Sequence, residues 1–86
     1  MRHRYALTYQ AERELERFDQ KLKERIKKKL QYFFTADDPI KFAKPLTNEH
    51  TATHRFRIWK LRVKFFRKEG IFYIAKIEFR DKVYRR

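Results

Sequence analysis

Arg55, Arg57, Arg62, Lys64, Lys76 and Arg80 are spaced so that cations alternate with apolar residues, as in "RFRIWKLRVKFF" from Arg55 to Phe66. Side chains at alternate positions of a strand share one face, so this pattern predicts a sheet with an apolar side and a cationic side. Arginine grips phosphate oxygens bidentately and lysine binds them as a point charge. Aromatic residues such as Trp59, Phe66 and Tyr84 could stack on bases. The chemistry this suggests is recognition of a polyanion, nucleic acid above all. A stronger version is RNA cleavage without a metal. In that reaction a base takes the 2′-hydroxyl proton, cations stabilise the charged phosphorane, and an acid protonates the leaving oxygen. An arginine cluster meets the second need and fails the first, because guanidinium keeps its proton in proteins.

Other chemistries find little support. His3, His50 and His54 stand in no metal-ligand spacing, and the single glycine cannot build a phosphate-cradling loop, so neither a metal nor a cofactor is expected. The carboxylate pair in "ADDP" precedes proline and reads as turn chemistry. With no cysteine there are no disulfides or thiolate metal sites, which fits a reducing compartment. The N-terminal "MRHRYALTYQ" has no apolar signal-peptide segment, and no apolar run is long enough for a bilayer. A cytoplasmic protein without a membrane partner is the expectation.

The formal charge of +13, from 24 Lys and Arg against 11 Asp and Glu, costs stability by self-repulsion. An acidic partner or a polyanion relieves it. The plainer alternative is an ordinary solvated face, yet like charges set opposite one another on neighbouring strands destabilise a sheet.

The 86 residues make one domain, 1–86. Tyr5, Leu7 and Tyr9 alternate as a first strand. Ala11, Leu15, Phe18, Leu22, Ile26, Leu30 and Phe33 then recur at helical spacing, as one long helix or, in a compact domain, two joined near Asp19, an available N-cap. "TADDPIKFAKPL" ends the helical part by about Thr35, and "TNEHTATH" reads as loop. Strands are expected at about His54–Trp59, Leu61–Arg67 and Ile71–Phe79, with Gly70 turning the second into the third. The predicted class is α+β: an N-terminal strand, a two-helix hairpin, then a three-stranded antiparallel meander with the helices on one face. Phe56, Ile58, Leu61, Val63, Phe65, Ile71, Tyr73, Ala75 and Ile77 would face the helices. Arg55, Arg57, Arg62, Lys64, Lys76, Glu78 and Arg80 would face away.

In this order, "RFRIWKLRV" and "EFRDKVYRR" resemble the RelE/ParE superfamily of toxin–antitoxin toxins over essentially the whole length. The family pattern runs basic–x–Arg–Ile/Val–Gly–Asp–Tyr–Arg–Val, a strand, then Arg–x–x–Val–Tyr. The resemblance implies the RelE-like microbial RNase-type fold and, in the RelE branch, an endoribonuclease (mRNA interferase) that cuts messenger RNA in the ribosomal A site and inhibits translation. It implies a cognate antitoxin as partner beside the messenger RNA and ribosome, with DNA reached only through a toxin–antitoxin complex. It assigns transition-state stabilisation to Arg62, a second phosphate contact or proton donation to Arg80, and base stacking to Tyr84. Arg55 and Arg57 fall on the family's paired basic positions, and Lys64 and Lys76 extend the RNA-binding face. Trp59 and Lys60 replace the common Gly–Asp, and Phe79 stands where many members have histidine. No general base is evident; Lys44, Glu49, His50, His54, Lys64 and Glu78 are the available groups. Two alternatives stay open: a ParE-like inhibitor of DNA gyrase, and a basic RNA-binding module without catalysis.

Overall fold

The computed structural model describes residues 3–79. The chain runs β1 (Arg4–Leu7), α1 (Tyr9–Glu16), α2 (Gln20–Thr35), a 3-10 turn (Pro39–Phe42), β2 (Lys44–Pro45), β3 (His54–Ile58), β4 (Leu61–Lys68) and β5 (Ile71–Phe79). The helical stripe is thus two helices, each begun by a side chain that accepts an otherwise unpaired backbone N–H. Thr8 Oγ1 accepts from Ala11 N at 3.2 Å, and Asp19 Oδ1 from Leu22 N at 2.9 Å. Asp38 likewise starts the 3-10 turn, accepting from Ile40 N, so the "ADDP" carboxylate does turn work.

The meander forms as expected, but it is only part of a five-stranded sheet of order β1-β5-β4-β3-β2. β1 lies parallel to β5, and the short β2 pairs antiparallel with β3, so the sheet is mixed rather than antiparallel throughout. The chain between the parallel partners β1 and β5 contains both helices and the three other strands. Tyr9 is not in the first strand; it opens α1 and is exposed.

One face of the sheet packs under α2 through Ile26, Leu30, Phe33 and Phe34. Phe34 is fully buried and its ring meets those of Tyr5, Phe56, Phe65 and Phe72 at centroid distances of 4.8 to 6.4 Å. Phe56, Ile58, Leu61, Val63, Phe65 and Ile77 take their expected core places.

The inward set of β5 differs from the alternation. Lys64 opposes Lys76, but Phe65 opposes Ile74, so Ala75 has no partner on β4. This bulge inverts the parity of the strand's first half. Phe72 and Ile74 enter the core, and Ile71, Tyr73 and Ala75 do not. Thr8 holds the irregular segment: its backbone N–H donates to Ile74 O at 2.9 Å and its hydroxyl to Ala75 O at 3.3 Å. Glu14 accepts from the Ile77 N–H at 2.7 Å, satisfying the strand edge beyond the end of β1.

Replacing Phe34 by alanine removes the ring on which the others converge. The expected cost is about 3–5 kcal/mol, read as a lower urea midpoint with little change in slope.

Candidate nucleic-acid interface

The face of the sheet turned away from the helices carries the cations in rows fixed by strand pairing. Arg57 opposes Arg62, and Arg62 opposes Glu78. In the next row Lys44, Arg55, Lys64 and Lys76 lie across four consecutive strands. Arg55, Arg57, Arg62, Lys64 and Lys76 are therefore brought together as the alternation predicts. Arg80 and Tyr84 lie outside the described residues.

The face is not uniformly positive. Lys64, only 8% exposed, binds two carboxylates, Glu78 at 3.1 Å and Glu49 at 3.3 Å. Glu78 also meets Lys76 at 3.5 Å. Burial works against the Lys64 ammonium, but Glu78 and Glu49 together outweigh it and hold its pKa above the ordinary lysine value. Burial likewise works against the Glu78 carboxylate, and Lys64 and Lys76 reverse that, holding it below the ordinary value. Lys64 is thus a poor proton acceptor, and so is Glu78.

Arg62 stands apart from this network. Glu78 lies opposite it in register, yet the carboxylate is engaged by the lysines. Arg62 Nε is buried with no hydrogen-bond partner, and none of the ion pairs among the described residues includes this side chain. A buried donor without an acceptor costs free energy, of order 1–3 kcal/mol, that a bound anion would recover. β4, the strand that carries Arg62, is central in the sheet and paired on both sides, so the backbone of this residue is held in place.

The histidines are elsewhere. His54 stacks on Phe65 at 5.8 Å and its Nδ1 lies 3.0 Å from Thr53 Oγ1, on the core side of the sheet. His3 contacts the Asp37 carbonyl at 3.0 Å, and His50 is exposed in the loop before β3. Among the described residues no three His, Asp or Glu side chains gather in a metal-holding group.

Two features of the face escape a reading of alternation alone. Glu49 reaches Lys64 from a loop 15 residues earlier, and no local pattern marks that contact. Tyr73 lies on the open face, stacked against Phe66 at 5.3 Å, because of the bulge at Ala75. At the β3–β4 turn, Trp59 adopts φ 56°, a region glycine enters far more easily. Its ring, 45% exposed, lies beside Arg25, Lys60 and Phe79, a hairpin end unlike one built on glycine.

Solved structures share this fold. A chain of the toxin–antitoxin complex RelBE2 from Mycobacterium tuberculosis superposes with a TM-score of 0.70 at 19% identity, covering 93% of this chain and 100% of that one. A chain of the archaeal RelE–RelB complex from Pyrococcus horikoshii gives 0.71 at 19% identity, covering 95% and 99%. The fold is that of RelE. No protein-family model matches the chain, and no curated protein sequence does. The RelE-like order of elements explains why the cationic rows lie on the sheet's open face, since both helices pack on the other.

The Glu78 network yields a pH prediction. A carboxylate held below its ordinary value of 4.5 contributes stability that is complete above that value and is lost as pH falls through the lowered pKa. The stability gap between the wild type and Glu78→Gln is therefore expected to be constant near neutrality and to shrink below pH 4.5 in thermal unfolding series.

Proposed function

We propose that the protein is the toxin of a toxin–antitoxin pair and a metal-independent endoribonuclease that cuts messenger RNA on the ribosome, inhibiting translation in the cytoplasm. The observation that carries this reading is Arg62, a guanidinium with a buried unpartnered Nε on a rigid strand, in the midst of other cations. The RelE-like fold supports it. So does the match of Arg57, Arg62, Arg80 and Tyr84 to the family pattern.

In the proposed reaction the 2′-oxygen attacks the adjacent phosphorus and the bond to the 5′-oxygen breaks. The 2′-hydroxyl proton passes to a base, and the 5′-oxygen receives a proton from an acid. The products are a cyclic phosphate and a 5′-hydroxyl end. Arg62 holds the phosphate oxygens as charge builds on them, a contribution largest where the donor is already in place and shielded from water. Arg57 and Arg55 bind the strand beside it, with Lys64 and Lys76 supplying further positive field. Arg80 takes the second phosphate contact or donates the proton, and Tyr84 orients the base at the cut. The placement of Glu78 and His54 argues against either as the base, which leaves Lys44, His50, Glu49 and the RNA or ribosome itself.

The partner that restrains the toxin is an antitoxin whose acidic or amphipathic segment covers the cationic face and occupies Arg62. The solved neighbours are described as RelE–RelB and RelBE2 complexes, which supports this assignment. Contact with DNA would then come only through the complex. Among the described residues no helix is long and apolar enough to cross a membrane.

Cleavage of a message in a purified translation system, with and without ribosomes, tests the reading. Arg62→Ala is expected to lower the cleavage rate by about a hundredfold or more, the loss typical of removing one transition-state donor. Arg80→Ala is expected to lose comparable activity. Intact message at high concentrations of folded wild type overturns the proposal, as does an Arg62→Ala variant that cuts normally. Blocked supercoiling by gyrase with intact RNA would instead assign the gyrase-directed role, and salt-dependent RNA binding without cleavage the binding module.

A further inference from the structure

The open face of the sheet carries an aromatic pair that the phosphate chemistry above does not use. Phe66 on β4 and Tyr73 on β5 are directly opposed in register, with ring centroids 5.3 Å apart and planes within 23° of parallel. Both are half-buried, and both belong to the helix-free face. Small residues flank them. Ala6, opposite Tyr73 on β1, is exposed, and so is Thr53, whose N–H bonds to Phe65 O just before β3 begins. No long side chain from either neighbour is placed to cover the rings.

Cations bracket the pair along the strands. On one side stand Lys64 and Lys76; on the other stand Lys68 on β4 and Arg4 on β1, both exposed. Phe66 lies four residues from Arg62 on the same strand and face, about 13 Å away at the usual rise. Flat rings held on rigid strands between cationic rows have the composition of a single-strand binding surface, where the rings take bases and the cations follow the backbone. An acidic protein segment would satisfy the cations but has less use for two parallel rings.

We propose that Phe66 and Tyr73 form a base-stacking site that seats a nucleotide of the same RNA strand whose phosphate lies at Arg62. The inference rests on the ribonuclease reading for the place of the phosphate, but the stacking itself needs no cleavage. Lys76 and Lys68 flank the strand on its two sides, and Arg62 fixes the register. A base held here sets which phosphate comes to the guanidinium.

The test uses the full chain and a short single-stranded RNA with 2′-deoxyribose at the cut, so that binding is read apart from cleavage. Positions on either side of the cut carry 2-aminopurine, whose fluorescence is quenched on stacking. The RNA is read both free and as the message in the vacant decoding site of programmed ribosomes. Wild type is expected to quench the probe in at least one setting. Phe66→Leu/Tyr73→Leu keeps apolar cover but removes the rings; it is expected to lose the quench and bind about tenfold more weakly. Tyr73→Phe should restore both. With unmodified RNA the leucine pair should raise KM more than it lowers kcat. Should the double variant fail to fold, each single leucine variant carries the same expectation in smaller measure.

The site is overturned if the folded leucine variants bind and quench as wild type does, or if wild type quenches the probe in neither setting. Loss of binding to a protein partner with RNA binding unchanged overturns it too, in favour of a protein-docking role. Quenching by a wild type that never cuts unmodified RNA would refute the ribonuclease reading and leave the stacking site standing. Cutting without quenching would do the reverse.

Discussion

The bulge at Ala75 is the constraint on which both faces of the sheet depend. One unpartnered residue lets Phe72 and Ile74 point into the core while Lys76 and Glu78, farther along the same strand, still point away from it. Without it, strict alternation would set Phe72 and Ile74 on the side of Lys76 and Glu78, and one of the two halves would sit on the wrong face. Thr8 is the residue that ties this down. It ends β1, caps α1 and donates to the two carbonyls at the bulge. Local helix formation and long-range strand geometry are thus joined at a single side chain, and Glu14 adds a second tie at Ile77.

A small domain with a net charge of +13 must also keep its cations from destabilising the sheet. The solution is selective. Glu78 and Glu49 neutralise Lys64, the most buried cation of the array, where an unpaired charge would cost the most. Glu78 gives its carboxylate to Lys64 and Lys76, and none of the ion pairs among the described residues includes Arg62, although register sets Glu78 opposite it. The network that stabilises the face is therefore also what keeps its central arginine available. The ion pairs fall on Lys64 and Lys76, while Arg62, in the neighbouring row, keeps a buried Nε without a hydrogen-bond partner.

Much of this was legible in the residues because β3 and β4 alternate without interruption. Phe56, Ile58, Leu61, Val63 and Phe65 could be placed inward, and Arg55, Arg57, Arg62 and Lys64 outward, from period alone. Asp19 announced the break between the helices, being a strong N-cap inside an otherwise continuous apolar stripe. β5 departs from alternation for a definite reason: a bulge inserts one residue into a strand without leaving a mark in composition, here an ordinary alanine. The two outer strands were hidden differently. β2 has only two residues, too few for any period, and the parallel pairing of β1 with β5 is decided by contacts more than sixty residues apart in the chain.

The same distinction separates what was legible in the candidate site from what was not. Cations announce themselves by type and spacing, so the rows could be drawn before the fold was known. Their electrostatic state could not, because Glu49 comes from a loop with no period and its carboxylate acts only once β4 is in place. Tyr73 is the sharper case. Its identity suits a core position and strict alternation with Ile71 and Ile77 requires one, yet the bulge turns it outward against Phe66. A side chain on the open face of a sheet must be displayed by the backbone, and here the display of Tyr73 depends on the bulge at Ala75, where alternation fails. A family of related folds that shares the element order but lacks an unpaired residue at this point of β5 would present a different outer face, even with every arginine retained. The cationic rows are a matter of composition; the surface they form with the aromatic pair is a matter of register.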